Sequence, residues 1–226
     1  MLEIKKSSKS HQVYIKGEEL TLFPQKFAWW EKEETVFLAD CHFGKIAHFR
    51  KSGIGIPSHA GTESFSDIHK IILAMKPRRL VILGDLFHSD FNKDFERFKI
   101  WISQFSDTQF DMVLGNHDKA SAGHLYTLGI NVYPNLILGP FFCTHEPDFD
   151  SALGFNLCGH LHPAVSLQGL GRQHLKVPCF WKGENHLCFP SFGTFTGSVA
   201  VNAQKTDLLF ATTGSIIRLI EGFAIL

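Results

Sequence analysis

Thr35-Val36-Phe37-Leu38-Ala39 runs without a break into Asp40-Cys41-His42. A run this short, apolar at successive positions and rich in branched and aromatic side chains, reads as a strand buried on both faces. The Asp-x-His directly behind it puts polar chemistry at the strand's carboxyl end, where open α/β sheets place their sites.

Working outward, the arrangement recurs. Leu80-Val81-Ile82-Leu83 ends in Gly84-Asp85, and Met112-Val113-Leu114 ends in Gly115-Asn116-His117-Asp118. Between these runs, about residues 63 to 75 and 92 to 105 carry apolar side chains at the helical period, with Ile68, Ile71 and Ile72 in the first and Phe98, Ile102 and Phe105 in the second. Strand-helix-strand units are therefore expected. After residue 130 the pattern turns strand-like: Leu136-Ile137-Leu138, Phe141-Phe142-Cys143, Phe155-Asn156-Leu157-Cys158, Ala164-Val165-Ser166-Leu167, Leu208-Leu209-Phe210-Ala211 and Ile216-Ile217-Arg218-Leu219. A second sheet packed face to face on the first accounts for both halves. The Gly/Pro-punctuated stretch Ser52-Gly53-Ile54-Gly55-Ile56-Pro57 is expected at the rim of the site.

Composition bounds the class. With 226 residues, 44% of them hydrophobic and 22 of them phenylalanine, the chain buries a sizeable core and is expected to form one domain over residues 1–226. No apolar run is long enough to cross a bilayer, and Met1-Leu2-Glu3-Ile4-Lys5-Lys6 lacks the apolar stretch of a signal peptide, so a cytoplasmic location is expected. Cys41, Cys143, Cys158, Cys179 and Cys188 form no Cys-x-x-Cys pair and read as reduced core residues. The formal net charge of +0 excludes a globally basic nucleic-acid binder, so any such contact must come from a local patch.

The donor residues stand in order: Asp40 and His42, Asp85, Asn116, the lone His145 after Thr144, then His160 and His162 in Gly159-His160-Leu161-His162. If each x-separated pair is extended, its two side chains share a face, with Cys41 and Leu161 turned away. Gly84 and Gly115 allow sharp turns at strand ends. This oxygen- and nitrogen-rich set without a thiolate suits Mn, Fe or Zn and is large enough for two adjacent ions. Two ions about 3.5–4 Å apart can hold a bridging hydroxide in line with a phosphorus atom, so phosphoester cleavage is the expected chemistry.

These clusters resemble the calcineurin-like metallophosphoesterases over about residues 35 to 163. The resemblance implies a four-layer αββα sandwich of two packed mixed sheets flanked by helices. It also implies one metal on Asp40, His42, Asp85 and His162, and a second on Asp85, Asn116, His145 and His160. His117 is implied to stabilise or protonate the leaving oxygen, and the adjacent Asp118 is placed to orient that imidazole.

A narrower resemblance covers nearly the whole chain. Asp40-Cys41-His42-Phe43-Gly44-Lys45, His48-Phe49-Arg50, Gly84-Asp85-Leu86-Phe87-His88-Ser89, His145-Glu146-Pro147, Pro178-Cys179-Phe180-Trp181 and Phe192-Gly193-Thr194-Phe195-Thr196-Gly197 are similar to the ligase-associated DNA damage response endonuclease (PdeM) family. That implies a Mn-dependent phosphodiesterase and endonuclease acting on DNA in repair, associated with a DNA ligase and a helicase. Lys45, His48, Arg50 and Arg172 are the expected phosphate contacts, with Lys119 standing where an arginine is expected. The alternatives are a phosphodiesterase or phosphatase acting on small nucleotides and, further off, a non-catalytic scaffold of the same fold.

Other residues read more plainly. Phe180, Trp181 and Trp29-Trp30 are expected to pack, and Glu31-Lys32-Glu33-Glu34 to form a solvated turn. His88 reads equally as a partner to a ligand or as a structural histidine.

Overall fold

A computed structural model describes residues 9–45, 63–87, 93–118, 122–168, 174–194 and 196–220. His48, Arg50, His88, Lys119, Arg172 and the 52–57 stretch lie outside the described residues.

The first sheet has seven strands, and their spatial order follows the chain: β1 (His11–Ile15), β2 (Glu18–Leu22), β3 (Ala28–Trp30), β4 (Thr35–Leu38), β5 (Arg79–Leu83), β6 (Gln109–Val113) and β7 (Ile130–Tyr133). β1 to β4 are antiparallel neighbours, whereas β4 to β7 run parallel. Each parallel step needs a crossover, and α1 (Glu63–Met75), α2 (Lys93–Ile102) and α3 (Ala122–Thr127) supply them. Such crossovers are right-handed. Because each new parallel strand is added on the same side of the last, all three helices fall on one face of the sheet.

Packing follows the period-2 alternation of the strands. Val36, Leu38, Leu80, Ile82 and Met112 face the helices and pack with Ile68, Ile71, Ile72, Phe98 and Ile102. Phe37, Ala39, Val81, Leu83 and Val113 face the other way, against Phe141, Phe155, Leu157, Leu187 and Phe189 of the second sheet. Phe37, Phe141, Phe180, Phe189 and Phe210 are fully buried. Each contributes roughly 1.5–3 kcal/mol through burial, so the middle layer is a large source of cohesion beside the helix-side layer.

The second sheet has nine strands: β8 (Leu136–Leu138), β9 (Phe141–Cys143), β10 (Phe155–Cys158), β11 (Pro163–Gln168), β12 (His174–Lys182), β13 (His186–Cys188), β14 (Val199–Ala200), β15 (Leu208–Thr212) and β16 (Ile217–Ile220). β9, β10 and β13 run parallel, while β12 is antiparallel to β11, β13 and β15, so this sheet is mixed as well. On its outer face Val165, Val177, Cys179, Leu209 and Ala211 pack with Val201 and Ala203, from a segment without a strand. All five cysteines are buried and free. No helix of the described residues is long and apolar enough to cross a membrane.

Candidate metal centre

The donor segments leave β4, β5 and β6 of one sheet and β9 and β10 of the other at a common edge. Their backbone is not extended, which corrects the geometry expected from sequence. Asp40 (φ 54°), His42 (φ 47°), Asp85 (φ 50°), His160 (φ 66°) and His162 (φ 47°) all adopt the left-handed conformation. Each costs about 1 kcal/mol or more for a residue with a Cβ, so the surroundings must impose it. Asp40 N–H donates to Gly84 O at 3.1 Å and His42 N–H to Asp85 O at 2.9 Å, so the two loops turn together past the end of the β4–β5 ladder. On the other side the Asp40 carbonyl accepts from Ser191 Oγ at 2.8 Å and Gly193 N–H at 3.0 Å. Cys41, between the two donors, is buried in the helix-side core, and burial raises its thiol pKa well above the usual range.

Asp85 is the hub. Its Oδ2 lies 3.6 Å from His145 Nε2, 3.8 Å from His42 Nε2 and 3.9 Å from His117 Nε2. Asp40 Oδ1 lies 3.5 Å from His162 Nε2 and 3.8 Å from His145 Nδ1, fully buried and without a hydrogen bond. Three groups place their donor atoms within 4.8 Å of one another: Asp40, His42 and His162; His42, Asp85 and His117; and Asp40, Asp85 and His145.

Second contacts fix the imidazoles. His162 Nδ1 lies 2.9 Å from Gly197 O and His145 Nδ1 lies 3.1 Å from Leu83 O. A carbonyl only accepts, so each Nδ1 carries a proton and each ring turns its Nε2 toward the site. His42 Nε2 then faces His162 Nε2 at 3.4 Å, and His160 Nδ1 faces His145 Nε2 at 3.1 Å. Nitrogens so close need a proton or a cation between them. Burial opposes protonation of His162, but the Asp40 carboxylate outweighs it and the net pKa is raised. Asn116 Nδ2 donates to Glu146 Oε1 at 2.8 Å, which leaves its Oδ1 as the donor atom.

Asp118 is wholly buried, and its carboxylate accepts the backbone N–H groups of Asp85 at 2.7 Å, Gly115 at 3.0 Å, Leu86 at 3.1 Å and Phe87 at 3.4 Å. Burial, and then the charge of Asp85, push its pKa up to about 6 against those hydrogen bonds. His117 is half-exposed, and its backbone N–H donates to Asp85 Oδ1 at 3.0 Å. Lys45 stands close enough that Asp85 raises its pKa, although burial lowers it more.

Three supporting residues escape the sequence reading. Asn156, buried within β10, donates to Thr144 Oγ1 at 2.8 Å and Phe142 O at 2.9 Å, which anchors the turn that carries His145. A lone amide inside an apolar strand was its sequence signal. Ser191 carries no such signal, and Gly197 stands in the family-like stretch 192–197 without a role assigned to it, since a hydroxyl and a backbone carbonyl gain their roles only when distant segments meet. Phe180, in contrast, is core and Trp181 donates to Asp207, in keeping with the packing role expected for both.

Two mixed sheets packed face to face, with the donor set at their shared edge, constitute the metallophosphoesterase fold. The chain is similar to the crystal structure of Pseudomonas putida nuclease MPE, with TM-score 0.79 and 24% sequence identity over 93% of this chain and 100% of that one. A weaker likeness, TM-score 0.41 and 18% identity over 85% of this chain and 99% of the other, is to Yfce, a phosphoesterase from E. coli. No protein-family model and no curated protein matches the chain.

Proposed function

We propose that this protein is a metal-dependent phosphoesterase that hydrolyses phosphodiester bonds, with DNA as its substrate. The observation that carries the reading is Asp40 Oδ1, a buried carboxylate oxygen without a hydrogen bond, aimed among histidines whose Nε2 atoms face the same space. A buried carboxylate oxygen that faces imidazole nitrogens without a hydrogen bond to hold it is costly to keep for structure alone. The donors fit divalent metal, and the motif resemblance divides them between two ions: Asp40, His42, Asp85 and His162 for one, and Asp85, Asn116, His145 and His160 for the other. Mn is the first choice, with Fe or Zn as alternatives. When bound, such ions neutralise phosphate charge and lower the pKa of water.

The chain's own groups supply the rest. Asp118 and the paired loops hold Asp85 and Asp40 rigid, so little reorganisation is left for the reaction. His117, half-exposed beside Asp85, is the group proposed to give the leaving oxygen a proton. Lys45 adds positive charge near the phosphate. The repair setting, and association with a DNA ligase and a helicase, rest on the motif resemblance described above. Hydrolysis of small nucleotide diesters is a second reading, favoured by the net charge of +0.

The test is nicking of supercoiled plasmid by Mn-loaded protein, beside an identically prepared His117→Ala protein. Wild type is expected to nick, and the variant to retain its metal but lose about 10²–10⁴-fold in rate. Hydrolysis of a small diester without nicking would move the substrate to nucleotides. Absence of bound metal would overturn the assignment.

A further inference from the structure

The segment that clamps Asp40 has a second face. Ser191 and Gly193 hold the Asp40 carbonyl, and Gly197 a few residues on holds His162. Between them Phe192 and Thr194 line an open cleft of about 490 Å³, whose other walls include Gln25 and Lys26 from the β2–β3 turn and Lys176 of β12. One stretch of chain is thus both a wall of this cleft and a cradle of the donor cluster.

The cleft is built for an anion. Lys26 is half-buried and has no acidic partner among the described residues; burial alone shifts its pKa, downward. Gln25 Oε1 is buried with no hydrogen-bond partner among the described residues. The one carboxylate among the described lining residues, Asp67, is engaged by Lys70 Nζ at 2.7 Å. Two lysines thus face a cleft whose negative charge is already committed, beside apolar wall from Phe192 and Val177. Desolvating an ammonium without a partner is costly, and an incoming phosphate relieves that cost. The volume lies in the range of roughly 300–1,000 Å³ typical of small-molecule sites, large enough for one nucleotide unit.

We infer that this cleft is a subsite for the nucleotide unit next to the scissile phosphodiester of a polynucleotide, its phosphate on Lys26 and Lys176 and its sugar or base on the apolar wall. The inference rests on the phosphodiesterase reading above. A free nucleotide shares the chemistry. The strand is favoured because cleft and donor cluster share a wall.

The experiment compares wild type with Lys26→Gln/Lys176→Gln on a single-stranded oligonucleotide and on bis(p-nitrophenyl) phosphate, each with Mn. Activity on the oligonucleotide is expected to fall at least about tenfold more than activity on the small diester, since only the longer substrate reaches the lysines. Binding of a labelled oligonucleotide in chelator should weaken in parallel, its log–log salt slope flattening by about 0.7, from the one phosphate that the two lysines share. Equal losses on both substrates, or an unchanged salt slope, would overturn the subsite. A mononucleotide that binds wild type as tightly as the oligonucleotide, and is weakened equally by the substitutions, would overturn the strand assignment. If wild type hydrolyses the small diester yet neither binds nor cuts the oligonucleotide, the polynucleotide reading itself fails. Lys176→Glu, at an exposed strand position, repeats the comparison should the double variant misfold.

Discussion

Asp118 holds Asp85 by its backbone: Oδ2 accepts the Asp85 N–H at 2.7 Å, and Oδ1 takes the next N–H, of Leu86, at 3.1 Å. The hub of the donor cluster is therefore positioned by a carboxylate that follows Asn116 by two residues. Asp118→Ala would strand several buried N–H groups, and the expected loss is about 3 kcal/mol in urea unfolding together with weakened metal binding. Stability within about 0.5 kcal/mol of wild type would show that the carboxylate holds nothing.

Gly115 touches the same hub from outside. A Cβ there would collide with the Oδ1 and backbone nitrogen of Asp85. Gly115→Ala should lower metal affinity about 10–100-fold, as displaced support around a ligand does, and calorimetric titration with Mn measures it directly. Wild-type affinity would mean that the Asp85 loop yields without cost.

Far from the donors, His186 is buried against Phe149 and Trp181, with ring centroids 4.4 and 4.7 Å away. Burial lowers its pKa from 6.5, with Asp207 partly opposing and Lys182 adding to the shift. Above the unfolded value both states are neutral and its contribution is fully present; as pH falls below about 6.5 the unfolded chain takes the proton first and stability drops. His186→Gln should lose less stability than wild type between about pH 7.5 and 5.5, compared by urea midpoints of the metal-free proteins. Identical pH profiles would remove His186 as a titrating contributor.

The β1–β2 hairpin closes through Lys16 (φ 52°) and Gly17 (φ 86°), two residues of positive φ between the paired Ile15 and Glu18. Asn is favoured over Lys at the first position of such a turn. Lys16→Asn is expected to stabilise the fold by roughly 0.5 kcal/mol, read as a higher Tm. A lower Tm would contradict the turn assignment.

Much of the fold was legible because the parallel strands are apolar on both faces and α1 is strongly periodic: residues 63 to 75 were expected and Glu63–Met75 is found. β6 begins earlier than its apolar run because Gln109 and Asp111 belong to the strand, where Asp111 is neutralised by Arg79 at 3.1 Å. β1 to β3 escaped because their alternation is broken by residues such as Glu18 and Thr21, whose place depends on neighbours distant in sequence. At the site, Asp40, His42, Asp85, His145 and His162, which the motif spacing singles out, fall into groups whose ligand atoms lie within 4.8 Å of one another. The left-handed backbone beneath them was not legible, since nothing local forces Asp or His there; two loops and the 191–193 segment impose it together.

That backbone also bears on how this site can decay. A descendant that has abandoned the chemistry no longer needs oxygen or nitrogen donors at positions 40, 42, 85, 160 and 162, yet its chain must still turn left at each of them. Isoleucine, valine and threonine tolerate that turn poorly, whereas glycine and asparagine accept it. Inactive offshoots of this lineage should therefore drift toward Asn and Gly at these five places, leaving a readable scar where the proposed donors once stood.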